Sequence, residues 1–387
     1  MNYQVVLIEP GGSTDFQDAF CEALEDYIGD LGLDPAATIC YLDESTIQNA
    51  RRQYPTVGVY FGGPQQSMEA TKAAEKLMGW SAFVLPLVRD ITQAEAWTPE
   101  ALHILNIKQI DAEEPDWDPF VVRILEALGL IRERRQIFIS YMRGESRGVA
   151  LQLFHALQDY GFEAFLDTHS IQAGKRFQFE LWDRMNDCDL IILLDTENAR
   201  SRKWVAEEIV QAKHMGLGIV QLIWPGVVRD KDTDICDPQY LSESDLVDAN
   251  DPQSALTEAA LARVMSQIER QRARSFNARR TRLIEHVCRL AGAKGLTPHI
   301  VSPDRIDLED GEGKAYWVLP VIGHLHSDHI EKASEDDGVP FGQRRLLFDD
   351  QGQREDRLAH LRWLNDQLQN ATPSIPLKAA DEWVRNL

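Results

Sequence analysis

Residues 136–146 read QIFISYMRGES, an apolar run that ends in a polar turn and a serine. Residues 161–167 read GFEAFLD, and residues 188–212 read CDLIILLDTENARSRKWVAEEIVQA. The series closes at residues 218–226 with GIVQLIWPG. Short apolar strands that alternate with helical patterns predict a parallel, doubly wound α/β sheet.

The elements predicted around these stretches continue to about residue 275. The predicted strands are Gln136–Tyr141, Glu163–Leu166, Leu190–Leu194 and Ile219–Ile223. The predicted helices are Ser146–Tyr160, Arg176–Asn186 and Trp204–Met215.

The first 131 residues repeat the same alternation. Strands are predicted at Gln4–Glu9, Thr38–Leu42, Val57–Phe61 and Ala82–Val88, and helices at Asp15–Leu31 and Gln65–Met78. This part carries 7 Lys and Arg against 21 Asp and Glu, a net charge of −14. Its glycine pairs at 11–12 and 62–63 lack a GxGxxG or P-loop frame, so we interpret them as turns. Pattern alone leaves open whether the two series are similar α/β units in tandem.

The composition excludes several classes of function. The 387 residues carry a net charge of −22, which disfavours nonspecific nucleic-acid binding and docking on anionic membranes. No stretch of about 18 apolar residues predicts a transmembrane helix, and the N-terminus resembles a first strand and not a signal peptide. The five scattered cysteines contain no CxxC pair. We therefore expect a cytoplasmic protein with reduced thiols.

The chain after the middle series changes composition. Residues 263–282 form a helical stretch with seven Arg and one Glu, which we expect to dock on the acidic first module. A helix at Leu283–Ala291, a strand at Tyr316–Ile322 and a helix at Arg354–Leu368 follow. The predicted domains are therefore 1–131, 132–275 and 276–387, and the two flanking parts are candidates for sensing or regulation.

The middle module resembles a TIR domain, the Toll/interleukin-1 receptor family of animal and plant immunity and of bacterial anti-phage defence. The resemblance rests on FISY with a following serine and on the G-F-x-x-F-x-D strand. It also rests on the I-x-x-G loop, the C-D-x-x-I-x-L strand and the W-V-x-x-E-I helix. It implies a central flavodoxin-like domain, flanked here by an N-terminal α/β module and a small C-terminal α/β region.

Many members of this family cleave NAD⁺ at the nicotinamide–ribose bond with one glutamate. The resemblance assigns that role to Glu208, four residues after Trp204 and therefore on the same helix face, whereas Glu207 points elsewhere. A carboxylate below the ribose can stabilise the oxocarbenium-like transition state. The implied substrate-binding residues are Tyr141, Arg143, Ser146, Asp167, Gly174, Lys175, Phe177 and Trp204. Met142 stands where relatives can carry a basic residue.

Residue type alone allows other interpretations. Glu208 could be a solvated helix carboxylate, Trp204 a core residue and Ser146 a simple helix N-cap. In that case the domain would be a non-catalytic scaffold that recruits a partner through the loop at 167–174. The glutamate favours the enzyme, because receptor and adaptor TIR domains lack it.

A second candidate site, a histidine-rich motif, lies near the C-terminus. The segment GHLHSDH places His324, His326, Asp328 and His329 in the H-x-H-x-D-H pattern of metallo-β-lactamase-fold zinc hydrolases. That fold needs further ligands downstream, and only 58 residues follow His329, with His360 their single histidine. We therefore expect no metal, and a zinc hydrolase is the least favoured function.

The sequence thus predicts an NAD⁺ glycohydrolase of bacterial anti-phage defence that releases nicotinamide and ADP-ribose or a cyclic isomer. NAD⁺ would be the substrate, and no cofactor is expected. The resemblance implies TIR–TIR self-assembly. The flanking parts suggest a phage-derived trigger or a downstream effector as a partner. No membrane and no specific nucleic acid is expected among the partners.

Overall fold

The computed structural model describes residues 3–11, 14–51, 54–166, 183–199, 210, 212, 215–229, 236–335 and 338–387. The chain divides into two compact units, Met1–Glu133 and Arg134–Leu387. Among the described residues, no helix combines the length and the apolar composition that a membrane crossing requires.

The first unit is built on a five-stranded parallel sheet with the order β2-β1-β3-β4-β5. Its strands are β1 (Tyr3–Ile8), β2 (Ile39–Asp43), β3 (Thr56–Gly62), β4 (Phe83–Val88) and β5 (Lys108–Gln109). Its helices are α1 (Thr14–Asp30), α2 (Pro35–Thr38), α3 (Met68–Gly79), α4 (Ala94–Trp97) and α5 (Asp118–Ala127). Every residue of β1 is buried, as expected for a parallel strand that is covered on both faces.

The second unit begins with another five-stranded parallel sheet, in the order β10-β9-β8-β6-β7. Its strands are β6 (Gln136–Ser140), β7 (Glu163–Leu166), β8 (Leu190–Asp195), β9 (Gly218–Ile223) and β10 (Asp237–Tyr240), and α6 (Arg147–Asp159) follows β6. In both sheets the first strand along the chain lies between the second and the third. The two series therefore share one flavodoxin-like strand order, which settles what the sequence pattern left open.

Helix α7 (Glu258–Ala293) connects the two halves of the second unit. Val264 and Ile268 pack in the core of the second sheet, whereas Leu283 and Val287 belong to the core of the C-terminal region. The helix runs without interruption across residues 275 and 276, where the sequence predicted a domain boundary.

The arginines of α7 bind groups within the second unit. Arg272 donates to Asp189, Arg279 to the backbone carbonyls of residues 186 and 188, and Arg282 to Asp349. Arg263 pairs with Asp245. These four side chains therefore have acidic or carbonyl partners inside the second unit, and the expectation that the basic stretch docks on the acidic first module stays a prediction.

The C-terminal region holds a mixed sheet in the order β11-β12-β13-β14-β15. Its strands are β11 (Thr297–Ser302), β12 (Arg305–Glu309), β13 (Ala315–Val321), β14 (Arg344–Phe348) and β15 (Ser374–Pro376). Helices α8 (Ser327–Ser334), α9 (Glu355–Gln367) and α10 (Leu377–Arg385) accompany them. The β11–β12 and β12–β13 pairings are antiparallel and the other two are parallel. The sequence predicted only β13, because the other strands are short or alternate with charged residues.

Candidate functional site

The topological switch point of the second sheet lies at the carboxyl ends of β6 and β8, and we call this region the crevice. In a doubly wound sheet, the loops after the first and third strands leave in opposite directions and open a ligand site between them. The loop after β6 reaches the loop after β8 through Glu145, which accepts 2.6 Å and 3.2 Å hydrogen bonds from the side chain and backbone of Asn198. This pair ties the two walls of the crevice together.

The loop after β6 carries three of the predicted substrate-binding residues. Tyr141 is buried in the core of the sheet, whereas Arg143 is exposed. Ser146 occupies the position before α6, but its hydroxyl donates 3.3 Å to the carbonyl of Met142 and makes no capping bond to the helix. Of these three, only Arg143 presents its side chain to solvent.

Sequence reasoning missed a buried polar pair below the crevice. Asp195 ends β8 and accepts a 2.7 Å hydrogen bond from the side chain of Gln221 on the neighbouring strand β9. The Oε1 atom of Gln221 and the hydroxyl of Thr196 are also buried and have no hydrogen-bond partner among the described residues. The signal was the aspartate that closes the apolar run LIILLD, a charged residue at the carboxyl end of a central parallel strand.

Comparison with known protein families identifies this part of the chain. Residues 137–265 match the TIR domain family. The central part of this chain is a TIR domain. The match begins inside β6 and ends inside α7, and it includes both loops of the crevice.

Other comparisons add no argument. No curated protein matches the chain. Among solved structures, it is similar to an ABC transporter substrate-binding protein from Desulfitobacterium hafniense at 12% identity and a TM-score of 0.21, covering 74% of this chain and 84% of that one. A fatty acid ABC transporter substrate-binding protein from Thermomonospora curvata matches at 13% identity and a TM-score of 0.21, covering 82% and 92%. Similarity at this level does not assign a function.

Six predicted residues of the TIR domain lie outside the described residues. They are Asp167, Gly174, Lys175, Phe177, Trp204 and Glu208. Their roles remain predictions from the resemblance.

The first unit carries a cavity at the corresponding edge of its own sheet. It has a volume of about 270 Å³ and is lined at the strand ends by Glu9, Gly62 and Arg89. The Arg89 guanidinium lies 4.4 Å from the ring centre of Phe16. A Cβ atom on Gly62 would come within 2.9 Å of the Trp97 carbonyl, so close packing requires glycine there.

The histidine motif near the C-terminus does not assemble as its spacing suggested. His324 and His326 lie together, and Asp187 of the TIR domain joins them. Asp328 is exposed and lies 3.7 Å from His329, outside that group. The described residues therefore bring together a different set of side chains from the one that the H-x-H-x-D-H pattern implied.

Proposed function

We propose that the TIR domain is an NAD⁺ glycohydrolase with Glu208 as its catalytic carboxylate. The observation that carries this proposal is the TIR family match over residues 137–265, which contains the motif from Trp204 to Glu208. The crevice between the loops after β6 and β8 supports it, because ligands of doubly wound sheets bind at this point.

The reaction needs little from the protein beyond one well-placed carboxylate. The bond between ribose C1′ and the nicotinamide nitrogen breaks, and its electron pair leaves with nicotinamide, which becomes neutral. Glu208 stabilises the positive charge that develops on the ribose. Water then attacks C1′ and loses a proton to give ADP-ribose, or an adenine nitrogen attacks to give a cyclic isomer.

The described residues suggest how the crevice receives the dinucleotide. The exposed Arg143 can contact a phosphate at the rim of the crevice. The buried Tyr141 and the Glu145–Asn198 pair fix the loops that form its walls. Walls that are held in place would help to orient the ribose, and orientation is the main geometric requirement of this reaction.

The biological setting that we propose is bacterial anti-phage defence in the cytoplasm, by NAD⁺ depletion or by a signal nucleotide. TIR domains self-associate, and we propose that assembly or a phage-derived trigger activates this one. An unregulated NAD⁺ hydrolase is toxic, and the first unit and the C-terminal region are available for control. The cysteines, all five of them free thiols, suit a reducing compartment.

The test is NAD⁺ turnover by the full chain at high protein concentration with a crowding agent, with products separated by chromatography. We expect nicotinamide release, and a loss of at least about 100-fold in Glu208→Ala. Glu207→Ala is the matched control and should retain activity, because it removes the same group one position away. Equal activity in Glu208→Ala and wild type would refute the assignment, and no turnover in any assembled state would favour a scaffold.

A further inference from the structure

The group formed by Asp187, His324 and His326 joins the TIR domain to the C-terminal region. Asp187 ends the helical residues 183–187 just before β8, and the two histidines lie in the turn between β13 and α8. Gly323 opens this turn with a φ of +81°, a conformation that favours glycine. The turn brings the backbone N–H of His324 to within 2.9 Å of Asp187 Oδ1.

The distances between the three side chains are too long for hydrogen bonds. Asp187 Oδ2 lies 3.6 Å from His324 Nδ1 and 3.8 Å from His326 Nε2. Direct N–H···O bonds measure about 2.7–3.2 Å. Each side chain offers one ligand atom, and these atoms lie within 4.8 Å of one another.

The same distances fit ligands around a metal ion. With metal–nitrogen and metal–oxygen bonds of about 2.0–2.2 Å, two ligands of a tetrahedral zinc ion are about 3.4 Å apart. Three protein ligands leave the fourth position for water. Two of the three ligand separations, 3.6 Å and 3.8 Å, are therefore within a few tenths of an ångström of this value, and the third is at most 4.8 Å.

A surrounding shell orients these ligands. Oxygen Oδ1 of Asp187 is held by the His324 amide, which directs Oδ2 towards the histidines. Asp183 Oδ1 lies 3.5 Å from the other ring nitrogen of His324, whose side chain is buried. A carboxylate behind a ligating histidine fixes its tautomer and raises its basicity. The backbone N–H of His326 donates to His329 Nδ1 at 3.0 Å, which holds the turn in place.

Arg134 places a cation against this group. Its Nη1 atom lies 2.8 Å from His326 Nε2 and 3.5 Å from Asp187 Oδ2. Since arginine has only donors, His326 Nε2 must be the acceptor and is therefore unprotonated, the form that binds metals. The Arg134 side chain is 44% exposed, so it can turn towards solvent when another cation takes its place.

We propose that Asp187, His324 and His326 bind a divalent transition metal, Zn²⁺ above all, in exchange for the Arg134 guanidinium. Two nitrogen ligands and one carboxylate suit Zn²⁺ better than Mg²⁺ or Ca²⁺, which prefer oxygen ligands. The ion fastens the C-terminal sheet to the TIR domain by ligands 137 residues apart in sequence.

The test uses the full chain after removal of metals with a chelator. Zn²⁺ is titrated by calorimetry, and Co²⁺ serves as a probe whose visible absorption reports tetrahedral geometry. We expect one equivalent of metal per chain. His326→Gln and Asp187→Asn should each weaken binding at least about tenfold, and Asp183→Asn by roughly 10- to 100-fold. His299→Gln, in the exposed part of β11, is the matched control and should bind as wild type.

Arg134→Gln distinguishes this site from a surface histidine that binds metal weakly. The variant removes the competing cation, so Zn²⁺ should bind roughly tenfold to 100-fold more tightly. This factor corresponds to the free energy of one hydrogen bond from a charged group, which Zn²⁺ must break in wild type but not in the variant. The proposal is overturned if neither wild type nor Arg134→Gln takes up one equivalent. It is equally overturned if His326→Gln, whose side chain is one-third exposed and whose folding is checked by circular dichroism, binds as wild type.

Discussion

The most informative perturbation of the fold is Arg272→Met, in the middle of α7. Arg272 is among the largest fully buried side chains and donates 2.9 Å to Asp189, while Glu269 lies 3.7 Å from its Nη1. Glu269 also accepts a 2.9 Å hydrogen bond from Arg135. All four side chains are at most 3% exposed. Two cations and two anions thus share one interior site, and methionine fills part of the volume without the charge.

The size of the stability loss follows from the buried charge that Arg272→Met leaves without a partner. Removing one partner of a buried ion pair costs about 3–5 kcal/mol, because the other charge stays buried without compensation. The same helix offers a matched control in Arg263, which pairs with Asp245 at the same distance of 2.9 Å but is 52% exposed. An exposed pair contributes about 0–1 kcal/mol. The two ion pairs have the same distance but differ in burial. The expected losses of stability therefore differ only because one pair is buried and the other is exposed.

Hydrogen exchange followed by mass spectrometry is the suitable assay, because a chain with two compact units has no single free energy of unfolding. Protection of the amides in β6 and β8 should fall roughly 100- to 4,000-fold in Arg272→Met and less than about fivefold in Arg263→Met. Adding Asp189→Asn to Arg272→Met should cost less than the sum of the single losses. Equal protection in Arg272→Met and Arg263→Met would refute the reasoning.

Two further perturbations follow from single contacts. Gly148→Ala would place a Cβ atom against the backbone carbonyls of residues 253–254, so we expect the hydrogen-exchange protection of the amides in α6 to fall by the equivalent of about 1–3 kcal/mol. Gly144→Ala, with open space around it, should change little. Burial raises the pKa of Asp183, but the hydrogen bond and charge of His324 and the charge of Arg357 outweigh it and hold that pKa below its usual value. This stabilisation is complete above about pH 4 and is lost as the pH falls through the lowered pKa of Asp183. With a chelator present, Asp183→Asn should therefore unfold at a lower temperature than wild type at pH 7. The difference between the two unfolding temperatures should be smaller at pH 3.

The central strands of the two parallel sheets could be predicted from the sequence because their signal is local. Gln136–Ser140 and Leu190–Asp195 are buried along their whole length, so an unbroken apolar run marks each one. The motifs around them also predicted the TIR domain, which the family match confirms. The catalytic residue Glu208 is still a prediction, since it lies outside the described residues.

The side-chain partners inside the second unit could not be predicted from the sequence, because they come from distant parts of the chain. Nothing near His324 in the sequence points to Asp187, 137 residues away, and the local H-x-H-x-D-H pattern favoured Asp328 instead. The arginines of α7 likewise revealed a positive net charge in the sequence, but the sequence did not reveal which groups they bind. Composition and periodicity are determined by neighbours along the chain, whereas the cost of burying a charge is set by whichever groups the fold brings within about 4 Å. For this protein the sequence alone therefore determined most strands of the two parallel sheets and the family of the central domain. Only the tertiary structure decided the C-terminal sheet and which charges and ligands meet.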